Sequence, residues 1–240
     1  MALDSKLINI TTYASGSSGN CYRIDDEKTV LLVEAGIQIR KIRKAFNFKL
    51  SKVDACLITH EHGDHSKSVK DVIKAGIDTY MSPGTAEALG LSSHRIKAVK
   101  HGELFSVGSF KIMPFSVQHD AQEPLGFLLA SGEDKILFAT DTYYIKYRFS
   151  GLTHIMIESN YSQELLDRNI ASGVAHASLR NRVMKSHFEI ENVKTFLKAN
   201  DLTKVKEIHL IHISGNNGDP KLFKEEIQKL TGKPVYIATD

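Results

Sequence analysis

Apolar residues in this chain gather in short runs separated by turn-forming residues. "TVLLVEAG", "ACLITH", "FKIMPFSVQH", "LGFLLASGEDKILFATD", "THIMIESN", "IHLIHIS" and "PVYIATD" are rich in Val, Ile, Leu and Phe and bounded by Gly, Asp, Pro or Asn. That pattern predicts strands. Between them lie stretches of helical period: residues 66–75, residues 162–169, the long "SLRNRVMKSHFEIENVKTFLKAND", and "DPKLFKEEIQKL", which opens with an Asp cap and a first-turn Pro. "SGED" between two apolar runs predicts a hairpin turn. The alternation describes a mixed α/β protein. No repeat, low-complexity tract or Pro/Ser linker marks a boundary, so one domain over residues 1–240 is expected.

Composition adds exclusions. At 240 residues and 42% hydrophobic content the chain can bury a full core. Its formal charge is +3, and Lys and Arg are interspersed with Asp and Glu, which argues against a dedicated nucleic-acid arm and leaves a small anionic substrate compatible. Two cysteines, Cys21 and Cys56, do not make a disulfide framework, so histidines must carry any metal chemistry. "MALDSKLINITTY" lacks the basic start and apolar stretch of a signal peptide, and no apolar run reaches the ~18 residues of a membrane span. A cytoplasmic protein is expected.

Polar residues recur where the apolar runs end: His60, His119, Asp141, Glu158 and His212. In layered α/β folds those strand ends open onto the ligand crevice. The densest group is "HEHGDH", with His60, His62, Asp64 and His65. It is not the HExxH of zinc proteases. His60 and His62, two apart at a strand end, point to one side, and Gly63 turns Asp64 and His65 toward a neighbouring point, which suits two adjacent metals. Nitrogen and oxygen donors without thiolate favour zinc, with manganese, iron or cobalt as substitutes.

"THEHGDH" resembles the THxHxDH signature of the metallo-β-lactamase-fold hydrolases, and "VQHD", "FATD" and "LIHIS" supply the later ligands in that family's order. The resemblance covers nearly the whole chain. It implies a four-layer αββα sandwich of two mixed sheets flanked by helices. It implies that His60, His62 and His119 bind one divalent metal, that Asp64, His65 and His212 bind a second, and that Asp141 bridges them. A hydroxide held between the two cations is the implied nucleophile. Glu158 in "IMIESNY" and His187 in "MKSHFEIENV" resemble the pair of the ribonuclease Z-like branch, in which the Glu-held His protonates the leaving oxygen. With Asp64 they make up the implied catalytic set. Glu34 stands where the family usually has Asp, in a position that shapes the metal loops without ligating. "SGSSGN", with Ser17, Ser18 and Asn20, could cradle a phosphate or form only a tight turn. Tyr143, Tyr144 and Tyr147 could stack on a base or pack in the interior.

The chain has no room for the substrate arm of tRNA-processing relatives, so a small phosphodiester is the expected substrate. "ASGSSGNCY", "HEHGDHSKSV" and "HDAQEPLGF" look most like compact bacterial and phage proteins, among them the anti-Pycsar phosphodiesterases, which hydrolyse cyclic CMP and cyclic UMP and so cancel a host defence signal. A cyclic mononucleotide phosphodiesterase is therefore the first expectation, acting in the host cytoplasm if phage-encoded. A single-strand DNA or RNA exonuclease is the alternative, and a non-catalytic nucleotide-binding module is the third reading. The filled ligand positions speak against the third, and the pairing of Asp64 with Asp141 speaks against a β-lactamase. The resemblance also implies a homodimer.

Overall fold

The computed structural model describes residues 8–174 and 176–238. Residues 1–7, on which much of the leader reading falls, and the last two residues of "PVYIATD" lie outside the described part. The chain divides into two compact units. One holds the described residues up to Phe115 together with Ala121–Asp134, and the other holds Ser116–Asp120 with Lys135–Ala238. The chain passes between units within motifs and not through linkers, which is why its composition shows no boundary.

The first unit contains β1 (Asn9–Ala14), β2 (Cys21–Asp25), β3 (Val30–Val33), α1 (Ile39–Ala45), β4 (Ala55–Leu57), α2 (Gly63–Ser66), α3 (Val69–Lys74), β5 (Thr79–Met81), α4 (Pro83–Ala88), β6 (Ile96–Ala98), β7 (Phe105–Val107), β8 (Phe110–Ser116) and β9 (Leu125–Ser131). β1 to β6 lie side by side in chain order, antiparallel as far as β3 and parallel from there. Parallel neighbours need crossovers, and α1, α2 with α3, and α4 provide them. Leu32, Cys56, Ile58, Val72 and Met81 form a fully buried core, to which α1 contributes Ile42. Ile39 and Ala45 pack against it half-buried, and the cations of α1 face water. The cations are less evenly spread than their interspersed look implies. Residues 35–53 hold Arg40, Lys41, Arg43, Lys44, Lys49 and Lys52 and no Asp or Glu.

The second unit contains β10 (Asp134–Ala139), β11 (His154–Glu158), α5 (Gln163–Ala171), α6 (Ala177–Ser186), α7 (Ile190–Lys198), β12 (Glu207–Ile211), α8 (Pro220–Thr231) and β13 (Val235–Ile237). β10 to β13 run parallel in chain order. Parallel strands end on the same edge, so Asp141 just beyond β10, Glu158 at the end of β11 and His212 just beyond β12 share it. The register pairs Glu158 with Ile211, one residue before His212.

All told, the strands fall into two mixed sheets flanked by helices, the expected α/β class. α8 begins as its sequence predicts, with the Asp219 side chain accepting the Leu222 N–H and Pro220 in the first turn. The long helical pattern from residue 178 does not stay continuous. α6 ends at Ser186, His187 is extended at φ −131° and ψ 156°, and Glu189 starts α7 by accepting the N–H groups of Glu191 and Asn192. The break costs helical hydrogen bonds and releases His187 from the helix. Residues 66–75 likewise divide at Ser68, whose hydroxyl donates to the Ile37 carbonyl at 2.6 Å. Among the described residues no helix is long and apolar enough to cross a membrane.

Candidate metal centre

In the first unit the ligand-type residues sit on the loop from β4 into α2. The His60 ring lies 4.7 Å from His62 and 4.3 Å from His65, centroid to centroid. His60 and His65 are buried. The outer side of each buried ring meets a partner that fixes its orientation. Thr59 Oγ1 lies 2.9 Å from His60 Nδ1, and Glu34 Oε1 lies 3.6 Å from His65 Nδ1, leaving His65 Nε2 on the side of Asp64 at 3.5 Å. Glu34 also accepts the Thr59 N–H, so one buried carboxylate ties β3 to the histidine loop. That is how an outer partner sets ligand geometry, and it fulfils the loop-shaping part implied for the Glu at this position.

Asn20 corrects an expectation. Read as a substrate contact, its side chain is fully buried and engaged within the protein. Nδ2 donates to the carbonyls of Gly16 and Asp64 and lies 3.1 Å from His65 Nε2, while Oδ1 accepts from Gly16 N–H and Tyr22 O–H. Asn20 braces the histidine loop. Ser17 and Ser18 stay exposed at the tip of the turn. Gly36 completes the brace, since a Cβ added there would sit 1.7 Å from the Asp64 carbonyl oxygen. Only glycine admits so close a backbone approach.

In the second unit Asp141, Glu158, His187 and His212 each offer a donor atom, all within 4.8 Å of one another. Asp141 reaches both flanking histidines, at 3.3 Å to His119 Nε2 and 3.3 Å to His212 Nδ1. His119 Nδ1 is held 2.7 Å from the Ser186 carbonyl, which directs Nε2 inward. Burial lowers the His119 pKa against the pull of Asp141 and Glu158, which favours the neutral, ligating form. Asn160, which sequence reasoning passed over, holds His212 through its carbonyl at 2.9 Å and its Nδ1 at 3.2 Å.

Glu158 is fully buried, with both carboxylate oxygens engaged. Oε1 lies 2.7 Å from His187 Nδ1 and 3.1 Å from His212 Nδ1, and Oε2 accepts the N–H groups of Thr142 and Phe188. Burial alone would raise its pKa, yet His187 and His212 hold it below the usual carboxylate range. Burial would lower that of His187, but Glu158 and Asp141 outweigh it and the imidazole titrates above its ordinary value. Beyond Thr142 the chain exposes Tyr143 and Tyr144. Tyr144, Tyr147 and Phe188 line a cavity of about 200 Å³, and Tyr143 is not among its walls.

Three of these residues, Glu34, Asp141 and His212, have left-handed backbones with φ of 65°, 45° and 52°. Such strain persists where surrounding structure enforces it, and it clusters at functional sites. The donors fit a divalent cation: imidazoles and carboxylates only, three rings fixed from behind, and the His119 pKa lowered by burial. The cysteines lie apart from this set, buried in the core at Cys21 and Cys56.

The chain has relatives of known name. Over 226 aligned residues the chain is 31% identical to the exodeoxyribonuclease WalJ of Streptococcus pneumoniae, covering 87% of this chain and 82% of that protein. It is 27% identical to the exodeoxyribonuclease YycJ of Bacillus anthracis, over 93% of this chain and 89% of that one. The solved structure of the metallo-β-lactamase fold protein YhfI of Bacillus subtilis superposes with a TM-score of 0.74 at 16% identity, over 97% and 96% of the two chains. Residues 29–213 match the family described as "Beta-lactamase superfamily domain", and the chain belongs to that family.

Proposed function

We propose that this protein is a metal-dependent phosphodiesterase that removes nucleotides from an end of single-stranded DNA. The observation that carries the phosphodiester chemistry is the buried Glu158 carboxylate bound to His187 within 4.8 Å of the Asp141 and His212 donors. An alkoxide leaves phosphorus poorly unless protonated. A carboxylate-held imidazole whose pKa the carboxylate raises can deliver that proton from the nitrogen opposite the one Glu158 holds. The choice of DNA rests on the two exodeoxyribonucleases matched over most of the chain.

We assign His60, His62, Asp64, His65, His119, Asp141 and His212 as ligands of two divalent cations, with zinc the first choice and manganese a substitute. When bound, such cations supply a nucleophilic water near neutral pH and offset charge on the phosphoryl oxygens. Glu34, Asn20 and Asn160 orient the ligands, and His187 faces the leaving group. Tyr144, Tyr147 and Phe188 offer one base a stacking surface beside the centre.

Cyclic mononucleotides, the first expectation from sequence, become the second reading, and with them the counter-defence role. The small aromatic cavity favours keeping it, because about 200 Å³ is below the ~300–1,000 Å³ of a usual ligand site and suits a single base. A homodimer belongs to that reading. The test is a panel of end-labelled oligonucleotides and 3′,5′-cyclic CMP, UMP, AMP and GMP with zinc or manganese. Progressive shortening of the oligonucleotides supports the nuclease; cyclic-nucleotide turnover without shortening transfers the function to the second reading.

A further inference from the structure

Between Ala35 and Val53 six cations occur without one carboxylate: Arg40, Lys41, Arg43, Lys44, Lys49 and Lys52. All six are exposed, and none takes part in an ion pair among the described residues. Several cations elsewhere do find partners. Arg95 is 3.0 Å from Asp78, Arg180 is 2.7 Å from Asp167, and Lys194 is 2.8 Å from Glu226. Four of the six sit on or within α1, a helix only about 10 Å long. Packing like charges so closely is unfavourable unless an anion covers them.

A second feature lies in the same segment. Phe48 is 73% exposed and has a left-handed backbone at φ 58°, directly after Asn47 at φ 50°. A bulky aromatic in that region is a true outlier. Its position is enforced: Phe48 N–H donates to the Arg43 carbonyl at 2.6 Å and Lys49 N–H to that of Phe46 at 2.9 Å. A strained turn that holds a phenyl ring in water serves no packing purpose. Beside it a cavity of about 170 Å³ is lined by Arg23, Phe46, Asn47, Lys49 and Lys52.

The segment is also fastened to the ligand loop. Ala35 N–H donates to the His65 carbonyl at 2.8 Å, Gly36 N–H to that of Asn20 at 2.9 Å, and Ser68 Oγ to that of Ile37 at 2.6 Å. The cationic helix therefore starts a few residues from the histidines, on a rigid link.

We propose that α1 and the turn after it form a tracking surface for single-stranded DNA, with the six cations following phosphates and Phe48 stacking on one base. An aromatic among exposed cations is the combination that holds single strands without reading sequence. An anionic membrane is the competing occupant. It is disfavoured because α1 packs Ile39, Ile42 and Ala45 against the core and the segment exposes one large apolar side chain, Phe48, too little for interfacial anchoring. The identity of the occupant rests on the nuclease reading, whereas its test needs no turnover.

Fluorescence anisotropy of a labelled single-stranded oligonucleotide in EDTA, across a salt series, measures binding alone. Wild-type protein is expected to bind. Replacing Arg43 and Lys44 together by Ala should lower the slope of log affinity against log salt by about 1.4, near 0.7 for each phosphate no longer neutralised. Phe48→Ala should weaken binding about tenfold and leave that slope unchanged. No binding by the wild type, unchanged slope and affinity in these variants, or binding to phosphatidylserine vesicles in place of DNA would overturn the proposal. Binding that behaves as expected while added metal produces no shortening supports this surface and counts against the nuclease reading alone.

Discussion

Glu158 Oε1 lies 2.7 Å from His187 Nδ1, with the carboxylate fully buried and the imidazole partly open to solvent. Oε2 of the same carboxylate accepts the N–H groups of Thr142 and Phe188, which lie on the two chain segments that line the aromatic cavity. One buried acid thus sets the imidazole's direction and joins the walls of the cavity. Removing the imidazole and removing the acid should therefore differ in effect.

His187→Ala is expected to retain bound metal and lose about a hundredfold to ten-thousandfold in kcat on DNA. The loss should shrink on an aryl phosphodiester, whose phenolate departs without a proton. Parallel rate measurements on both substrates check this, and an equal loss on the two would remove the proton-donor role. Glu158→Gln should in addition weaken metal retention, because His212 loses the carboxylate charge 3.1 Å from its Nδ1.

Glu34 tests the support beneath the first histidine cluster. Glu34→Ala removes the acceptor of the Thr59 N–H and the carboxylate beside His65. Metal affinity is expected to fall about tenfold to a hundredfold, as measured by competition with a chromogenic chelator. Glu34→Asp, the residue usual in the family, should restore much of it. Wild-type affinity in Glu34→Ala would show that the loop holds itself.

Gly36→Ala should not be tolerated, because the added methyl would overlap the Asp64 carbonyl. Thermal melting is expected to show a loss of more than about 3 kcal/mol, well beyond that of Gly63→Ala, where a Cβ meets open space. Comparable melting of the two variants would contradict the close approach.

Asp26 supplies a pH dependence away from the centre. Burial would raise its pKa, but the hydroxyls of Ser109 and Ser131 and the N–H groups of Thr29 and Lys28 bring it down to about 2. A carboxyl depressed from 3.8 to about 2 stabilises the fold by about 2 kcal/mol, fully so above its unfolded pKa and less as pH falls through about 2. Asp26→Asn is therefore expected to be less stable than wild type near neutrality by that amount, with the gap closing in acid. Urea unfolding at several pH values checks it; a gap independent of pH would remove the charge from the account.

Much of the candidate centre could be read in the sequence because its first ligand-type residues are nearly contiguous. His60, His62, Asp64 and His65 span six positions after an apolar run, and His119, Asp141 and His212 each follow one. The strand ends were legible for the same reason, since period and turn residues mark them. What escaped depended on three-dimensional context. The break at His187 was hidden because residues 178–201 keep a helical pattern throughout, and only the cap by Glu189 and the hydrogen bond with Glu158 interrupt it. Asn20 looked like part of a phosphate-binding turn because composition cannot show that a side chain points inward. The left-handed backbones of Glu34, Asp141 and His212 leave no trace in residue type. The cationic face of α1 was averaged away by a small net charge.

The central claim is that seven residues hold a pair of cations. The most direct test is the metal content of purified protein after exposure to zinc and removal of loose ions, read by inductively coupled plasma mass spectrometry. About two zinc ions per chain are expected for the wild type, and clearly fewer for Asp141→Asn. A wild-type protein that folds, yet keeps essentially no metal under these conditions, would contradict the account.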